Sequence, residues 1–369
     1  MLPRRIVFHT ASLRGGGAER VFALLANALA ARGHAVTLFT WNADGPNAAL
    51  LAPEVELVSL DLPIRNEGYG KPGTLRGIWR SARFFARKRP EVVFSAPEFA
   101  NLTMALALRL AGSDARFFPT HHAADSLPSS DFGAKLAIAL YALVMGRASK
   151  AIAVSSGIGR DLAARGLAAD RIVVIHNPLP PITPSGKSHP FQQQLAQWGE
   201  GPVIVTAGRL VPVKDHFTLL DAFARLRTTR PARLVIFGEG PLEAALRERA
   251  QTLGIEGSVL LPGYVNDPAA CYAPADLFVL SSTSEGFGNV LIEAMAAGVP
   301  VVSTDAPHGP REILADGEFG ALVPVGDAAA LAEAMAAALD RPPETAKLQG
   351  RAADFTLERI ADRYESLLA

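Results

Sequence analysis

Four charged residues in the second half of the chain are of the types that hold phosphorylated, hydroxyl-rich ligands: Arg209, Lys214, Glu285 and Glu293. The two cations lie in Ala207-Gly-Arg-Leu-Val-Pro-Val-Lys-Asp215 and are the only Lys or Arg between Lys187 and Arg225. Such a pair can neutralise a diphosphate, although an isolated Arg and Lys read equally as solvated surface charges. The two acids lie in Ser281-Ser-Thr-Ser-Glu-Gly-Phe-Gly-Asn-Val-Leu-Ile-Glu293. Carboxylates accept hydrogen bonds from sugar and ribose hydroxyls, and a helix starting near Gly288 offers amides from Gly286, Phe287 and Gly288 to Asn289 and Val290 for a phosphate. By spacing alone the same acids also fit a helix-capping acid and a surface acid.

Two motifs in the first half add to this set. Arg14-Gly-Gly-Gly-Ala-Glu-Arg20 leads into a helix, and Gly16 and Gly17 would let backbone approach a phosphate. It is not the G-x-G-x-x-G dinucleotide fingerprint, because Arg20 stands three residues after Gly17, and no Lys-Ser/Thr follows to make a P-loop. An ordinary strand-to-helix turn is the plainer reading. His121 and His122 follow a strand at 115–120, where imidazole can serve a reaction or simply pack.

These residues must be placed by a scaffold, and its pattern is legible. Short β-branched or aromatic runs at 4–9, 35–40, 55–60, 91–95, 115–120, 150–154 and 171–175 alternate with helical segments at 18–32, 74–89, 99–111, 131–147 and 157–165. A Pro-rich stretch, Asn177 to Pro190, interrupts the pattern and reads as a linker. Strands then fit 202–207, 232–237, 257–261, 276–281, 299–304 and 320–323, with helices near 214–229, 240–253, 288–297 and 327–339. The fold class is therefore α/β, with two doubly wound domains whose strand C-terminal ends face a shared cleft. The expected boundaries are 1–180, a linker at 181–200, 201–355, and a final segment at 356–369.

Composition narrows the class further. With 369 residues, 49% hydrophobic and 20% charged, the chain is neither disordered nor fibrous. Its zero formal charge gives no sign of a nucleic-acid partner, yet residues 1–180 carry 21 Lys plus Arg against 13 Asp plus Glu, and 181–369 carry 15 against 23. The single cysteine, Cys271, excludes an internal disulfide and fits a reducing, cytoplasmic setting, and no Cys/His cluster suggests a metal. The longest apolar run, Gly133 to Gly146, contains Lys135 and is short for a bilayer span of roughly 20 residues.

Taken in order, the Gly-rich loop at 15–20, Gly208-Arg209 with Lys214, Phe237-Gly-Glu-Gly-Pro-Leu242, and Glu285-x7-Glu293 resemble the retaining GT-B glycosyltransferases of family 4 over nearly the whole chain. The resemblance implies two Rossmann-like domains, a nucleotide-sugar donor held by the second, an acceptor held by the first, no cofactor and no essential metal. It further implies a final helix, about 357–368, that packs back on the first domain. Carried over by motif, Glu285 would hold hydroxyls of the transferred sugar and Glu293 the ribose. Arg209 and Lys214 would neutralise the diphosphate, with Gly16 and Gly17 approaching it from the other domain. Gly263 and Tyr264 would lie near the base, and either His121 or His122 near the sugar. UDP is the commonest nucleotide of such enzymes. Gly309-Pro-Arg-Glu-Ile313 resembles a subgroup that builds bacterial surface polysaccharides or lipid-linked glycans, although Arg311 could equally pair Glu312 or another neighbour. A GT-B sugar-nucleotide 2-epimerase and a non-catalytic glycan-binding protein are the alternatives, and the Arg209, Lys214, Glu285 and Glu293 combination argues against both.

The positive excess of the first half concentrates in residues 71–89. Arg76, Arg80, Arg83 and Arg87 recur at helical spacing, while Ile78 and Phe85 can serve a core or a lipid interface. This helix face is either plainly solvated or a contact for an anionic membrane surface, which would make the protein peripheral on the inner face of the cytoplasmic membrane.

Overall fold

The computed structural model describes residues 2–14, 16–64, 68–122, 146, 148–180, 182, 189–265 and 267–369. The helix expected at 131–147 lies outside these residues except for Gly146, and so does half of the Pro-rich stretch Asn177–Pro190.

The chain divides into two compact units: Met1–Pro180 with Leu357–Ala369, and Pro181–Thr356. In the first, strands β1 (Arg5–Ser12), β2 (Ala35–Asn42), β3 (Glu56–Ser59), β4 (Val92–Ser95), β5 (Arg116–His121), β6 (Ala151–Ala153) and β7 (Ile172–Val174) form a parallel sheet in the order β3-β2-β1-β4-β5-β6-β7. The central strands are apolar on both faces because helices cover both: Ile6, Val7 and Phe8 of β1 are all buried. The described helices are α1 (Gly17–Ala31), α2 (Gly70–Lys88), α3 (Glu98–Leu110) and α4 (Ser156–Ala164).

The second unit repeats the design. Strands β8 (Val203–Ala207), β9 (Arg233–Phe237), β10 (Val259–Gly263), β11 (Leu277–Leu280), β12 (Val301–Thr304) and β13 (Ala321–Val323) are parallel in the order β10-β9-β8-β11-β12-β13. Their helices are α5 (Pro190–Ala196), α6 (His216–Arg227), α7 (Glu243–Thr252), α8 (Pro268–Tyr272), α9 (Asn289–Ala296), α10 (Gly309–Ile313), α11 (Ala328–Asp340) and α12 (Thr345–Ala352). Helix α5 falls inside the segment read from sequence as linker. Pro190 sits at its first position, where the missing N–H is no loss, and the His189 and Gln192 side chains form a capping box. The expected linker at 181–200 is to that extent corrected.

In both sheets the strand order reverses direction between two neighbours, β1/β4 and β8/β11. Loops leaving the C-terminal ends of such a pair diverge to opposite faces and leave a crevice, the usual ligand position in open α/β sheets. After the second unit the chain returns: α13 (Leu357–Ser366) places Ile360 and Tyr364, with Leu368 beyond it, in the first unit's core beside Phe8, Phe22 and Phe94.

Candidate functional site

The charged residues singled out above converge at the β8/β11 switch of the second unit. Lys214 lies in the loop after β8 and Glu285 in the loop after β11, and their side chains form an ion pair with Nζ 2.6 Å from Oε1. The pair is mostly withdrawn from water, with Lys214 20% and Glu285 9% exposed. Ser282 Oγ donates to the same carboxylate oxygen at 2.6 Å. Backbone bonds hold the two loops together: Thr283 N donates to the Val213 carbonyl at 2.8 Å, and Ser281 Oγ to the Lys214 carbonyl at 2.9 Å. Thr304 Oγ1 at the end of β12 fixes the Ser282 carbonyl at 2.6 Å. Arg209, in the same β8 loop, is exposed.

A third loop, after β9, sets the shape of the first. Gly208 N donates to the Phe237 carbonyl and Leu210 N to the Glu239 carbonyl, both at 2.9 Å. The approach is so close that a Cβ on Gly238, whose φ is +134°, would lie 1.9 Å from the Gly208 carbonyl oxygen. The Glu239 carboxylate turns toward β10 and accepts from Tyr264 N at 3.4 Å, while Gly238 N donates to the Gly263 carbonyl at 2.9 Å. Gly263 and Tyr264 thus flank the same end of the sheet, with the Tyr264 ring 58% exposed.

Helix α9 begins directly behind Glu285. Gly288 caps it in the left-handed region at φ +100°, a conformation that turns the loop sharply into the helix. The first amides of a helix point out of its N-terminus, the end that favours an anion, and α9 opens there with Asn289 and Val290. Gly286 precedes this turn, but Phe287 is 2% exposed and packs edge-on against Phe355 at 5.6 Å, so it serves through backbone alone. Glu293, one turn in, is 7% exposed and accepts from the Tyr272 hydroxyl at 3.0 Å.

Sequence reasoning passed over three neighbours. Ser282 and Tyr272 hold the two carboxylates, and no spacing rule flags either. His216, at the start of α6, is 2% exposed with neither ring nitrogen in hydrogen-bonding geometry to a partner. Burial first, and the Lys214 charge second, lower its pKa to about 4, with the nearby Arg209 carbonyl opposing. It is neutral at pH 7 and leaves the positive charge of the loop to Arg209 and Lys214. Arg311, in α10 after β12, pairs Asp305 and Asp316.

The remaining candidates belong to the first unit. Gly16 caps α1, and the Glu19 carboxylate folds back so closely that a Cβ on Gly16 would lie 2.0 Å from Oε2. A bound anion would meet that carboxylate at Gly16, whereas a Cβ on Gly17 would find no described atom within 4 Å. His121 ends β5, 2% exposed, its Nδ1 3.9 Å from the Glu98 carboxylate. Burial, then His122, then Arg165 push its pKa down to about 3. His122 is half-buried, its ring edge-on to Phe22 at 6.5 Å, and its Nε2 has no hydrogen-bond partner among the described residues. Burial lowers its pKa to about 4, so a neutral imidazole stands there. Among the described residues no group of three or more His, Cys, Asp or Glu could hold a metal ion, and no helix is long and apolar enough to cross a membrane.

Comparisons with known proteins agree with this organisation. The model for Glycosyltransferase Family 4 matches residues 15–181, and that for Glycosyl transferases group 1 matches residues 189–355. The lipopolysaccharide core biosynthesis glycosyltransferase LpsE of Rhizobium meliloti is 36% identical over 46% of this chain and 50% of its own. An N-acetylgalactosamine-N,N'-diacetylbacillosaminyl-diphospho-undecaprenol 4-alpha-N-acetylgalactosaminyltransferase of Campylobacter jejuni is 44% identical over 33% of each chain. The matches thus span half or less of these curated relatives. The crystal structure of Anabaena Alr3699/HepE in complex with UDP-glucose superposes with a TM-score of 0.78 over 99% of both chains, at 23% identity, a likeness of fold. With two sheets of doubly wound order and two adjoining family models along its length, the chain belongs to the family 4 glycosyltransferases of GT-B fold.

Proposed function

We propose that this protein transfers a sugar from a nucleoside diphosphate sugar, a UDP-hexose or UDP-N-acetylhexosamine, to a hydroxyl of a surface polysaccharide or lipid-linked glycan. The observation that carries this reading is the Lys214–Glu285 pair across the β8/β11 switch, with Arg209 exposed in the same loop as Lys214 and α9 starting just after Glu285. A diphosphate placed there gains Arg209, Lys214 and helix amides as partners, and these interactions strengthen as the glycosidic bond breaks and charge builds on the leaving phosphate. Glu285, oriented by Lys214 and Ser282, accepts from sugar hydroxyls. Glu293, oriented by Tyr272, accepts from the ribose. The two cations do the work that a metal ion does elsewhere, so the reaction proceeds without a metal.

We infer retention by front-face attack. The leaving phosphate accepts the proton of the acceptor hydroxyl while that oxygen forms the new bond to the anomeric carbon. A double displacement needs a free carboxylate nucleophile, and Glu285 is already committed to Lys214 and Ser282. The neutral imidazole of His122, or of His121, is suited to accept from a sugar hydroxyl. The relatives named for lipopolysaccharide and undecaprenol-linked substrates support a lipid-linked or surface-glycan acceptor.

Helix α2 supports attachment to an anionic membrane surface on the cytoplasmic side. Arg76, Arg80, Arg83 and Arg87 line one groove, Arg83 stacks over the Trp79 ring at 4.7 Å, and Trp79 is 55% exposed. Ile78 and Phe85 are buried and belong to the core. Each basic residue near such a surface adds about 1 kcal/mol.

The reading is tested by release of UDP from a panel of UDP-sugars with and without glycan acceptors. Release should require the acceptor, and Arg209→Ala, Lys214→Ala and Glu285→Ala should each lower kcat/KM about 100-fold. Full turnover by Lys214→Ala and Glu285→Ala would refute the site.

A further inference from the structure

The loop that leaves β12 crosses the loop that carries Glu285. Glu285 and His308 pair through their backbones in an isolated parallel bridge, which sets the two chains about 4.8 Å apart. One residue further on the contact is closer still, since a Cβ on Gly309 would lie 1.7 Å from the Phe287 carbonyl oxygen. The crossing loop is also tied at both ends. Thr304 Oγ1 donates to the Ser282 carbonyl and Asp305 N to the Val323 carbonyl, both at 2.6 Å. Arg311 then closes the loop with two bonds to the Asp305 carboxylate, one of them from Nε at 3.1 Å. His308 is pinned between these ties, half-buried and next to Glu285.

Its backbone is strained. With φ +85° and ψ −91°, His308 lies near the γ-turn values of about +75° and −65°, a rare conformation for a residue with a side chain. Asp215 and Arg89 also have positive φ, but their ψ values of 49° and 60° put them in the left-handed helical region that side chains tolerate. Glycine would take the His308 backbone without this cost. Strain of this kind persists only where the surroundings over-determine it, and it gathers at ligand clamps and active sites. Here the ties on both sides hold it, and what it delivers is an imidazole rooted one strand spacing from the carboxylate assigned to the sugar.

We propose that His308 is a further specificity-determining residue of the donor site: its imidazole hydrogen-bonds a hydroxyl of the transferred sugar beside those held by Glu285, and so selects among nucleotide sugars. The proposal rests on the donor reading argued above and deepens it. An imidazole carries one donor and one acceptor nitrogen when neutral, so it can bond a hydroxyl in either sense.

The test uses the full chain and five ligands: UDP, UDP-glucose, UDP-galactose, UDP-N-acetylglucosamine and UDP-N-acetylgalactosamine. Kd values are measured by calorimetry and urea midpoints by denaturant melts, for the unaltered chain, His308→Gly and His308→Ala. The unaltered chain should favour one UDP-sugar over the others. Both variants should weaken that ligand about tenfold, narrow the spread among the four sugars, and leave UDP within about twofold. His308→Gly should unfold at higher urea than the unaltered chain, because it relieves the strain, and His308→Ala should not. A Gly variant that unfolds earlier, or that keeps the favoured UDP-sugar, overturns the proposal. So does an affinity loss confined to the Gly variant, which would assign the preference to loop rigidity and not to the ring, and so does equal binding of the four sugars by the unaltered chain. Failure of the donor reading is distinct: the unaltered chain would then bind neither UDP nor any UDP-sugar, and the role of His308 would fall with it.

Discussion

At the scale of single residues, this protein places charge and neutrality with purpose. The Lys214–Glu285 pair, 20% and 9% exposed, has surrendered most of its hydration, so each partner is costly without the other. Lys214→Met should destabilise by about 2–3 kcal/mol, and the Lys214→Met/Glu285→Gln double variant by clearly less than the sum of the singles, a coupling of about 1–2 kcal/mol. Denaturant melts of the four proteins measure it; strict additivity would mean that the pair contributes nothing to folding. The imidazoles show the opposite choice. His9 is fully buried, and burial lowers its pKa from 6.5 to about 4 against the opposing hydrogen bond of the Phe39 carbonyl. A depressed folded-state value stabilises above the unfolded pKa of 6.5, and that contribution is lost as pH falls through 6.5 towards 4. One such histidine removes about 2 kcal/mol between pH 7 and pH 5. His9→Leu, whatever its absolute stability, should show a pH 7 to pH 5 loss smaller by that amount in urea melts. An unchanged pH slope would count against a neutral buried His9.

Elements explain why much was readable in the sequence and some was not. The strands were legible because a sheet covered on both faces turns each into an unbroken apolar run, as in Leu234-Val-Ile-Phe237 of β9. Helices α8 and α10 were not, since five residues make little more than one turn and show no period. Pro190 read as a breaker although it starts α5. Within the site, the motif residues were legible by type, but not the ion pair. Lys214 and Glu285 are 71 positions apart, and only the β8/β11 pairing brings their loops together. The stacking of Tyr69 on Phe99 was invisible for the same reason, because the two rings come from the residue before α2 and from α3. Loop packing gives a prediction at this scale. Gly238→Ala would drive a Cβ to within 1.9 Å of the Gly208 carbonyl oxygen, at a φ of +134° that also disfavours a side chain. The loop bearing Arg209 and Lys214 must then move. We expect a loss of at least about 2 kcal/mol in stability together with weaker UDP binding by calorimetry. Gly254→Ala, at φ +66° with no described atom within 4 Å, supplies the control for backbone strain alone. If both variants bound UDP normally, the close approach at Gly238 would not be what shapes the cation loop.

At the scale of the whole molecule, the chain's two units are not two successive pieces of sequence. Residues 357–369 return to the first unit after the second has been completed. Tyr364 is 1% exposed and packs on Phe94 at 5.2 Å, with Ile360 and Leu368 buried beside it. Around this apolar seam, Arg32 holds Glu365 at 2.6 Å and Asp362 at 2.7 Å, and His34 Nε2 lies 3.2 Å from Glu365. The final carbonyl, of Ala369, accepts from Arg116 at 2.7 Å. A basic first unit, 21 Lys plus Arg against 13 acids over residues 1–180, thus receives acids from the far end of the chain. Removing 357–369 would expose the surface under Tyr364, Ile360 and Leu368, worth about 5 kcal/mol or more of burial, and leave Arg32 without its partners. Hydrogen exchange on the truncated chain should show lost protection in β1, β4 and α1, with β8, β9 and β11 of the second unit retaining theirs. The donor reading makes a linked demand. If Arg209, Lys214 and Glu285 suffice to hold the nucleotide, UDP affinity should survive the truncation while glycosyl transfer fails. Loss of UDP binding together with first-unit protection would mean that the donor site needs the first unit as much as the second.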